Sequence, residues 1–237
     1  MPFLTAQWRN LILANYTVEG GVLEPFVPSG VELDTHDGVH FVSLVGFQFI
    51  DTRVIGIRWP GLHTFVELNL RFYVKRVMPD GEKRRGVVFI KEIVPSAFIA
   101  FVARTLYHEP YERWSIDLID EFGKDDHYGY VWNNGNQSHA IDVVAVGEHR
   151  DLEDGSHEQF IAEHYWGYTR VSDHRTNEYE VLHPSWQFRD LAEHTIRCDF
   201  EKVYGPTWSF LSNQEPYPVF LAEGSEISVS SKQRFSK

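Results

Sequence analysis

The chain has 237 residues and a formal net charge of -12, with 43% hydrophobic and 15% aromatic residues. That is ample material for one large β-rich core once the ordering entropy of the chain is met, so a single domain over 1–237 is expected. Cys198 is the only cysteine, which excludes an intrachain disulfide, a thiolate metal cluster and a CxxC redox pair, and fits a reducing, cytoplasmic compartment.

The acidic balance also opposes general affinity for nucleic acid, which depends on clustered Lys and Arg. The one basic cluster, Lys83, Arg84 and Arg85, sits beside Pro79, Asp80 and Gly81 and reads as a charged hairpin tip. Residues 1–10 lack a basic segment followed by an apolar one, and no run of about 18 apolar residues occurs. Neither export nor membrane spanning is expected.

In chain order, 17–27 (TVEGGVLEPFV) sets Val18, Val22, Leu23, Phe26 and Val27 at helical spacing, and Pro28, Ser29 and Gly30 end that short helix. Strands follow at 31–33 and 39–50 around a turn at 34–38, and then 65–74. A turn near Asp80 and Gly81 leads into 86–94, a strand apolar on both faces whose exit is marked by Lys91 and Glu92. Pro95 and Ser96 open a helix over 97–107, with Phe98, Phe101, Val102 and Leu106 at helical intervals.

The segments 114–119, 127–132 and 140–146 read as a meander with a turn cluster at 133–136. Ser156 and Gln159 form a capping box for a short helix through Phe160 and Ile161. Strands are expected at 165–171, 178–182 and 196–204, the last two flanking a turn at Pro184 and a helical 188–194, and the polar tail from 225 is expected to fray. Many strands with few helices imply an α+β, mostly β fold: an antiparallel, closed or nearly closed barrel-like sheet or sandwich with a few flanking helices and an interior cavity.

The segment 65–74, FVELNLRFYV, alternates without a break. Val66, Leu68, Leu70, Phe72 and Val74 face one side, and Glu67, Asn69, Arg71 and Tyr73 the other. Facing water, the second row is a wet strand face; facing a barrel interior, it is a recognition set of acid, amide, guanidinium and phenol.

Four stretches taken together carry a resemblance: 25–33 (PFVPSGVEL), the strand 67–73, Ala103-Arg104 through Pro110-Tyr111, and His183-Pro184-x-Trp186. The chain resembles the uncharacterised YqjF-like family, whose fold is similar to that of acetoacetate decarboxylase. In the decarboxylases a strand glutamate and a helical arginine accompany a lysine that forms a Schiff base with a keto acid; the resemblance puts the glutamate at Glu67 and the arginine at Arg104. The lysine position, directly after Pro110, holds Tyr111, and the second lysine position holds Glu112. The resemblance therefore implies the fold without the Schiff-base donor, unless Lys75 or Lys91 has taken the role.

The expected site is a cavity lined by Glu67, Arg71, Arg104, Tyr107 and Tyr111. Glu67 is its acid or base, Arg104 an anion clamp with Tyr107 on the same helix face, and Tyr111 a hydroxyl donor. A buried network of Glu67, Arg104 and Tyr111 that only fixes the helix to the barrel is the structural alternative. Within one extended strand, Glu67 and Arg71 stand roughly 13 Å apart, too far to pair directly. The ligand expected is a small organic carboxylate or carbonyl compound. The competing functions are an enzyme using Glu67 without a covalent intermediate (lyase, hydratase or isomerase) and a structural or homo-oligomeric protein.

His164, His174, His183 and His194 are scattered over separate expected elements with no HxH or HxxxH pair among them, no GxSxG elbow occurs, and no GxGxxG or GxxxxGK[ST] loop is present. No metal and no nucleotide cofactor are expected, and Cys198 reads as a packed thiol. Of the aromatics Tyr165, Trp166, Tyr168, Trp186 and Trp208, most read as core and at most half of the first three can face a cavity.

Overall fold

The computed structural model describes residues 2–236, with the side chains at 102, 103, 106 and 107 outside the described part. The elements in chain order are β1 (Leu4–Val18), α1 (Gly20–Leu23), β2 (Glu32–Leu33), β3 (His40–Val54), β4 (Phe65–Val77), β5 (Lys83–Val94), α2 (Ala97–Tyr107), β6 (Tyr111–Arg113), β7 (Ser115–Leu118), β8 (His127–Asn133) and β9 (Ser138–Arg150). They continue with α3 (His157–Ala162), β10 (Trp166–Ser172), β11 (Arg175–Leu182), β12 (Phe188–Arg197), α4 (Phe200–Tyr204), β13 (Val219–Ala222), β14 (Glu226–Val229) and β15 (Gln233–Ser236).

All strands join one mixed sheet, and part of it returns on itself in the order β1, β3, β4, β5, β10, β11, β14 and back to β1. This barrel-like ring is antiparallel except at the β5–β10 seam, where Gly86 and Val87 run parallel to Trp166 and Gly167. A side chain at Gly86 would strike the Trp166 backbone, so only glycine lets the two strands approach there.

β1 makes the corner between the ring and the rest of the sheet. Its first half, Leu4 to Gln7, pairs with β14, and its second, Leu11 to Ala14, pairs with β13. Between them the register against β3 shifts at Arg9 to Ile12, with Asn10 in the left-handed region at φ 54°, a conformation Asn tolerates better than most residues. From that bend the sheet continues through β13, β12, β9, β8 and β7.

The sheet is therefore buried on both faces at β4. Leu68, Leu70, Phe72 and Val74 share a core with Tyr130, Trp132 and Ile141 from β8 and β9. Tyr73, on the opposite row, shares the ring's core with Val45, Phe47, Phe49 and Phe160. Fully burying each large apolar side chain contributes about 1.5–3 kcal/mol, so both rows of β4 fix its register. The wet-face reading of Glu67, Asn69 and Arg71 is overturned: all three are buried.

The hairpin of β4 and β5, α2 and the meander of β7, β8 and β9 lie close to where the sequence pattern predicts them. Ser96 caps α2 by accepting from the Ile99 amide, and His108 ends it with φ 66°. Ser156 caps α3 by accepting from the Gln159 amide, while the Gln159 side chain accepts from Gly155 rather than from Ser156.

Several expectations are corrected. β1 runs through Val18, which shortens the helix expected over 17–27 to α1 and the 3-10 turn Glu24–Phe26. The expected helix at 188–194 is strand β12, whose two register shifts against β9 break the two-residue alternation that would have marked it. The expected strand at 196–204 gives way after Arg197 to α4, capped by the Asp199 side chain accepting from Lys202. The tail expected to fray forms β14, paired with β1 and β11, and β15, paired with β11. Lys91 and Glu92 do not end β5, which runs on to Val94.

Among the described residues no helix is long and apolar enough to cross a membrane.

Candidate ligand cavity

Inside the ring lies a cavity of about 280 Å³. Its polar surface comes from β4 (Glu67, Asn69, Arg71), β5 (Glu92), the turn after α2 (Glu109), Tyr111 on β6 and Tyr179 on β11. The register explains the grouping, because Asn69 is paired with Glu92 and Glu92 with Tyr111, which lines up three neighbouring strands on one inward row. The remaining wall is mostly apolar, with Thr52 and the rings of Trp8, Phe47, Phe49, Phe65 and Phe89 around the polar groups and Trp59, Leu62, Phe98 and Ile99 contributed by the 55–64 loop and α2.

Three carboxyl groups share this interior. Glu67 accepts from Asn69 Nδ2 at 3.1 Å and from the Tyr111 hydroxyl at 2.9 Å. Glu109 accepts from the Tyr179 hydroxyl at 2.9 Å and from the Thr169 hydroxyl. Burial pushes Glu67 and Glu109 up to about 7, against the opposing pull of those hydrogen bonds. Glu92 is driven well above the usual carboxylate range by burial and by the charges of Glu109 and Glu67. Tyr111, raised by burial and by its acidic neighbours, stays a protonated donor at neutral pH.

Arg71 supplies the counterweight. It is 7% exposed, and no ion pair joins it to a described carboxylate. Its Nε finds no hydrogen-bond partner among the described residues, and neither do Asn69 Oδ1 and Glu92 Oε2. Its charge still favours the ionised form of Glu67. The pairing with β5 is irregular here: between Leu70↔Lys91 and Arg71↔Phe89 the register skips Ile90 on β5.

Beneath Arg71 a second buried cluster anchors α3. His164 Nε2 meets Asp34 Oδ2 at 3.2 Å, and Asp34 also accepts from Arg85 at 2.8 Å and Lys75 at 3.3 Å. Burial alone would raise the Asp34 carboxyl, but the bonds from His164 and Arg85 hold it well below the usual carboxylate range. Burial lowers His164 to about 4, so its ring is neutral.

A family model for DUF2071, described as an uncharacterized conserved protein, matches residues 5–226. The chain belongs to the DUF2071 family. It is 27% identical over 183 residues to the uncharacterized protein YqjF of Bacillus subtilis (strain 168), a match spanning 76% of this chain and 72% of that protein. Among solved structures it is similar to acetoacetate decarboxylase from Legionella pneumophila subsp. pneumophila str. Philadelphia 1, with a TM-score of 0.67 at 12% identity over 100% of this chain and 88% of that one. It is likewise similar to the enduracididine biosynthesis enzyme MppR complexed with pyruvate, with a TM-score of 0.66 at 13% identity over 99% of this chain and 91% of that one. At such identities the likeness establishes the fold alone: this DUF2071 chain has an acetoacetate-decarboxylase-like, mostly β architecture.

Of the residues the sequence pointed to, the DUF2071 cavity brings together Glu67, Arg71 and Tyr111. Arg104 is corrected: it is exposed on α2, where its guanidinium keeps its hydration, and is not among the described residues lining the cavity. The expected network of Glu67 with Arg104 is not formed; Tyr111 and Asn69 make the side-chain contacts to Glu67. The Tyr107 side chain lies outside the described residues. No lysine is among the described residues lining the cavity; Lys75 pairs with Asp34, and Lys91 pairs with Glu112 at 2.9 Å and donates to the Val203 carbonyl.

Sequence reasoning missed Glu92, Glu109 and Tyr179. Glu92 had a signal, since Ile93 and Val94 continue the apolar strand beyond it; Glu109, in a turn before Pro110, had none. Of the five aromatics, most of which read as core, Tyr168, Trp186 and Trp208 are buried there. Burial raises the Cys198 thiol far above its ordinary range, which leaves it unactivated. Among the described residues no group of three or more His, Cys, Asp or Glu side chains is arranged to hold a metal ion.

Proposed function

We propose that the cavity binds a small organic carboxylate or carbonyl compound, with Arg71 holding its oxygen end and Glu67 and Tyr111 presenting protons beside it. One observation carries this reading: Arg71 Nε, Asn69 Oδ1 and Glu92 Oε2 are buried without partners among the described residues, and all three side chains line the same cavity. A buried polar atom left unpaired costs about 1–3 kcal/mol, so a ligand that satisfies several of them gains correspondingly. A guanidinium offers a planar fork suited to carboxylate oxygens. The raised carboxyl groups, with Glu67 and Glu109 only partly ionised near neutrality and Glu92 held toward its protonated form, do not oppose an incoming anion with full charges. The reading uses no Schiff base, in keeping with the absence of lysine from the described wall.

A second reading makes the protein an enzyme of lyase, hydratase or isomerase type. It is favoured by one feature: an acid raised to about 7 inside a cavity is matched to proton transfer at neutral pH, and Glu67 has the Tyr111 hydroxyl beside it as a second proton carrier.

Thermal unfolding with a panel of monocarboxylates and ketones of two to ten carbons tests the binding reading. Binding stabilises the folded state by about 2.7 kcal/mol at a hundred times the dissociation constant. Wild type and Arg104→Ala should be stabilised alike and Arg71→Gln much less. Equal shifts in wild type and Arg71→Gln across the panel would overturn the proposal. If a turnover is found, loss of a bell-shaped pH profile in Glu67→Gln selects the second reading.

A further inference from the structure

We infer that the ligand is amphipathic, with an acid head at Arg71 and an apolar tail that leaves the cavity between Trp59 and Phe98 onto an exposed apolar rim. The inference rests on the carboxylate reading above and adds the class of tail.

Three observations carry it. The first is the division of the wall. The carboxyl, amide, guanidinium and phenol groups sit together around Arg71, whereas Phe47, Phe49, Phe65 and Phe89 offer rings with no polar atom, among which the buried Trp8 Nε1 and Thr52 Oγ1 are isolated polar atoms. The second is size, for a cavity of about 280 Å³ is more than a three-carbon keto acid fills. A short acid satisfies the head and leaves the rings uncovered.

The third is the rim. Trp59 from the 55–64 loop and Phe98 from α2 both line the cavity, and their rings approach to 6.4 Å between centroids. The same two segments carry further apolar side chains in water: Ile55 is 61% exposed, Ile57 55% and Phe101 60%. A scattered exposed apolar residue needs no explanation, but a group of them continuous with an apolar cavity wall marks a binding surface. An aliphatic or aromatic tail running from the cavity across this rim would cover both.

Isothermal titration with butanoate, hexanoate, octanoate and decanoate tests this against wild type, Arg71→Gln and the double variant Trp59→Ser/Phe98→Ser. Each buried methylene strengthens binding about fourfold, so affinity should climb steeply with chain length in wild type. Arg71→Gln should weaken every length, and the double variant should flatten the gain per methylene. Both substituted rim positions are substantially exposed, and circular dichroism checks that the fold is kept. Affinity independent of length, with the Arg71 dependence intact, overturns the tail and leaves the carboxylate reading standing. Absence of any Arg71-dependent binding overturns both. A fall in sedimentation mass in the double variant with an unchanged length dependence assigns the rim to contact between copies and also overturns the inference.

Discussion

The Tyr111 hydroxyl donates to Glu67 Oε2 across 2.9 Å, joining β6 to β4 over the intervening strand β5. Glu92 lies between them on that strand, paired in register with Asn69 on one side and Tyr111 on the other. The acid that the strand pattern singles out thus belongs to a shared proton-holding group and not to an isolated carboxylate.

Removing this bond should raise the affinity of Glu67 for its proton, because the Tyr111 hydroxyl favours the ionised form. Tyr111→Phe is expected to move the Glu67 titration upward and to cost about 1–2 kcal/mol of stability through the unpaired oxygen. Carboxyl-carbon NMR titration reads the first and urea unfolding the second; a Glu67 titration that stays put or moves down contradicts the arrangement.

The buried acids set a pH dependence of defined sign. Glu67 and Glu109 titrate near 7 in the folded protein against 4.5 ordinarily, and burial with the charges of Glu109 and Glu67 raises Glu92 well above that ordinary value. Between these values the folded state holds protons that the unfolded chain has released, so their contribution is fully present below pH 4.5 and is lost as pH rises through 7. Glu92→Gln should therefore stabilise the protein progressively more from pH 5 to pH 8. Urea midpoints of the two proteins at each pH check it, and a gain that shrinks with rising pH would refute it.

The Asp34 and His164 pair acts in the opposite direction. His164 is lowered to about 4 in the folded state from an ordinary 6.5, so its contribution is present above pH 6.5 and is lost as pH falls through 4. Asp34→Asn removes the charge shared by His164, Arg85 and Lys75 and turns one of its two acceptor oxygens into a donor. The loss should be about 3 kcal/mol, the lower end for a broken buried pair because Arg85 and Lys75 keep access to water. Chemical denaturation at pH 7 measures it, and a cost under 1 kcal/mol would show the cluster to be dispensable.

A methyl group at Gly167 would land on the Tyr179 ring. Because Tyr179 holds Glu109, Gly167→Ala is expected to disturb the acid cluster as well as to destabilise the fold by about 1–3 kcal/mol. The cluster's part is seen as a displaced Glu109 titration; an unmoved titration with lowered stability would mean that the strain is absorbed elsewhere.

How much of this was legible in the sequence depends on how local the signal was. β4 announces itself because both of its rows are chemically pure, and α2 because Pro95, Ser96 and the apolar spacing agree. β12 was hidden, since the bulges between Phe188 and Asp190 and between Leu191 and Glu193 shift its apolar residues off a two-residue period. The site was legible where one strand carries it, at Glu67 and Arg71. Glu109 and Tyr179 reach the cavity only through long-range pairing, which no local pattern encodes. Arg104 was misplaced because it was assigned by resemblance, and a shared motif does not fix which side chains of a helix meet the barrel.

The seam between Leu4 and Val229 has a consequence for biosynthesis. A nascent polypeptide that has emerged only as far as β11 has every acid of the cluster but lacks the strand that closes the ring. Until residue 229 leaves the ribosome, β1 presents unpaired backbone along half its length, a period of exposure in which chaperones would be expected to find it.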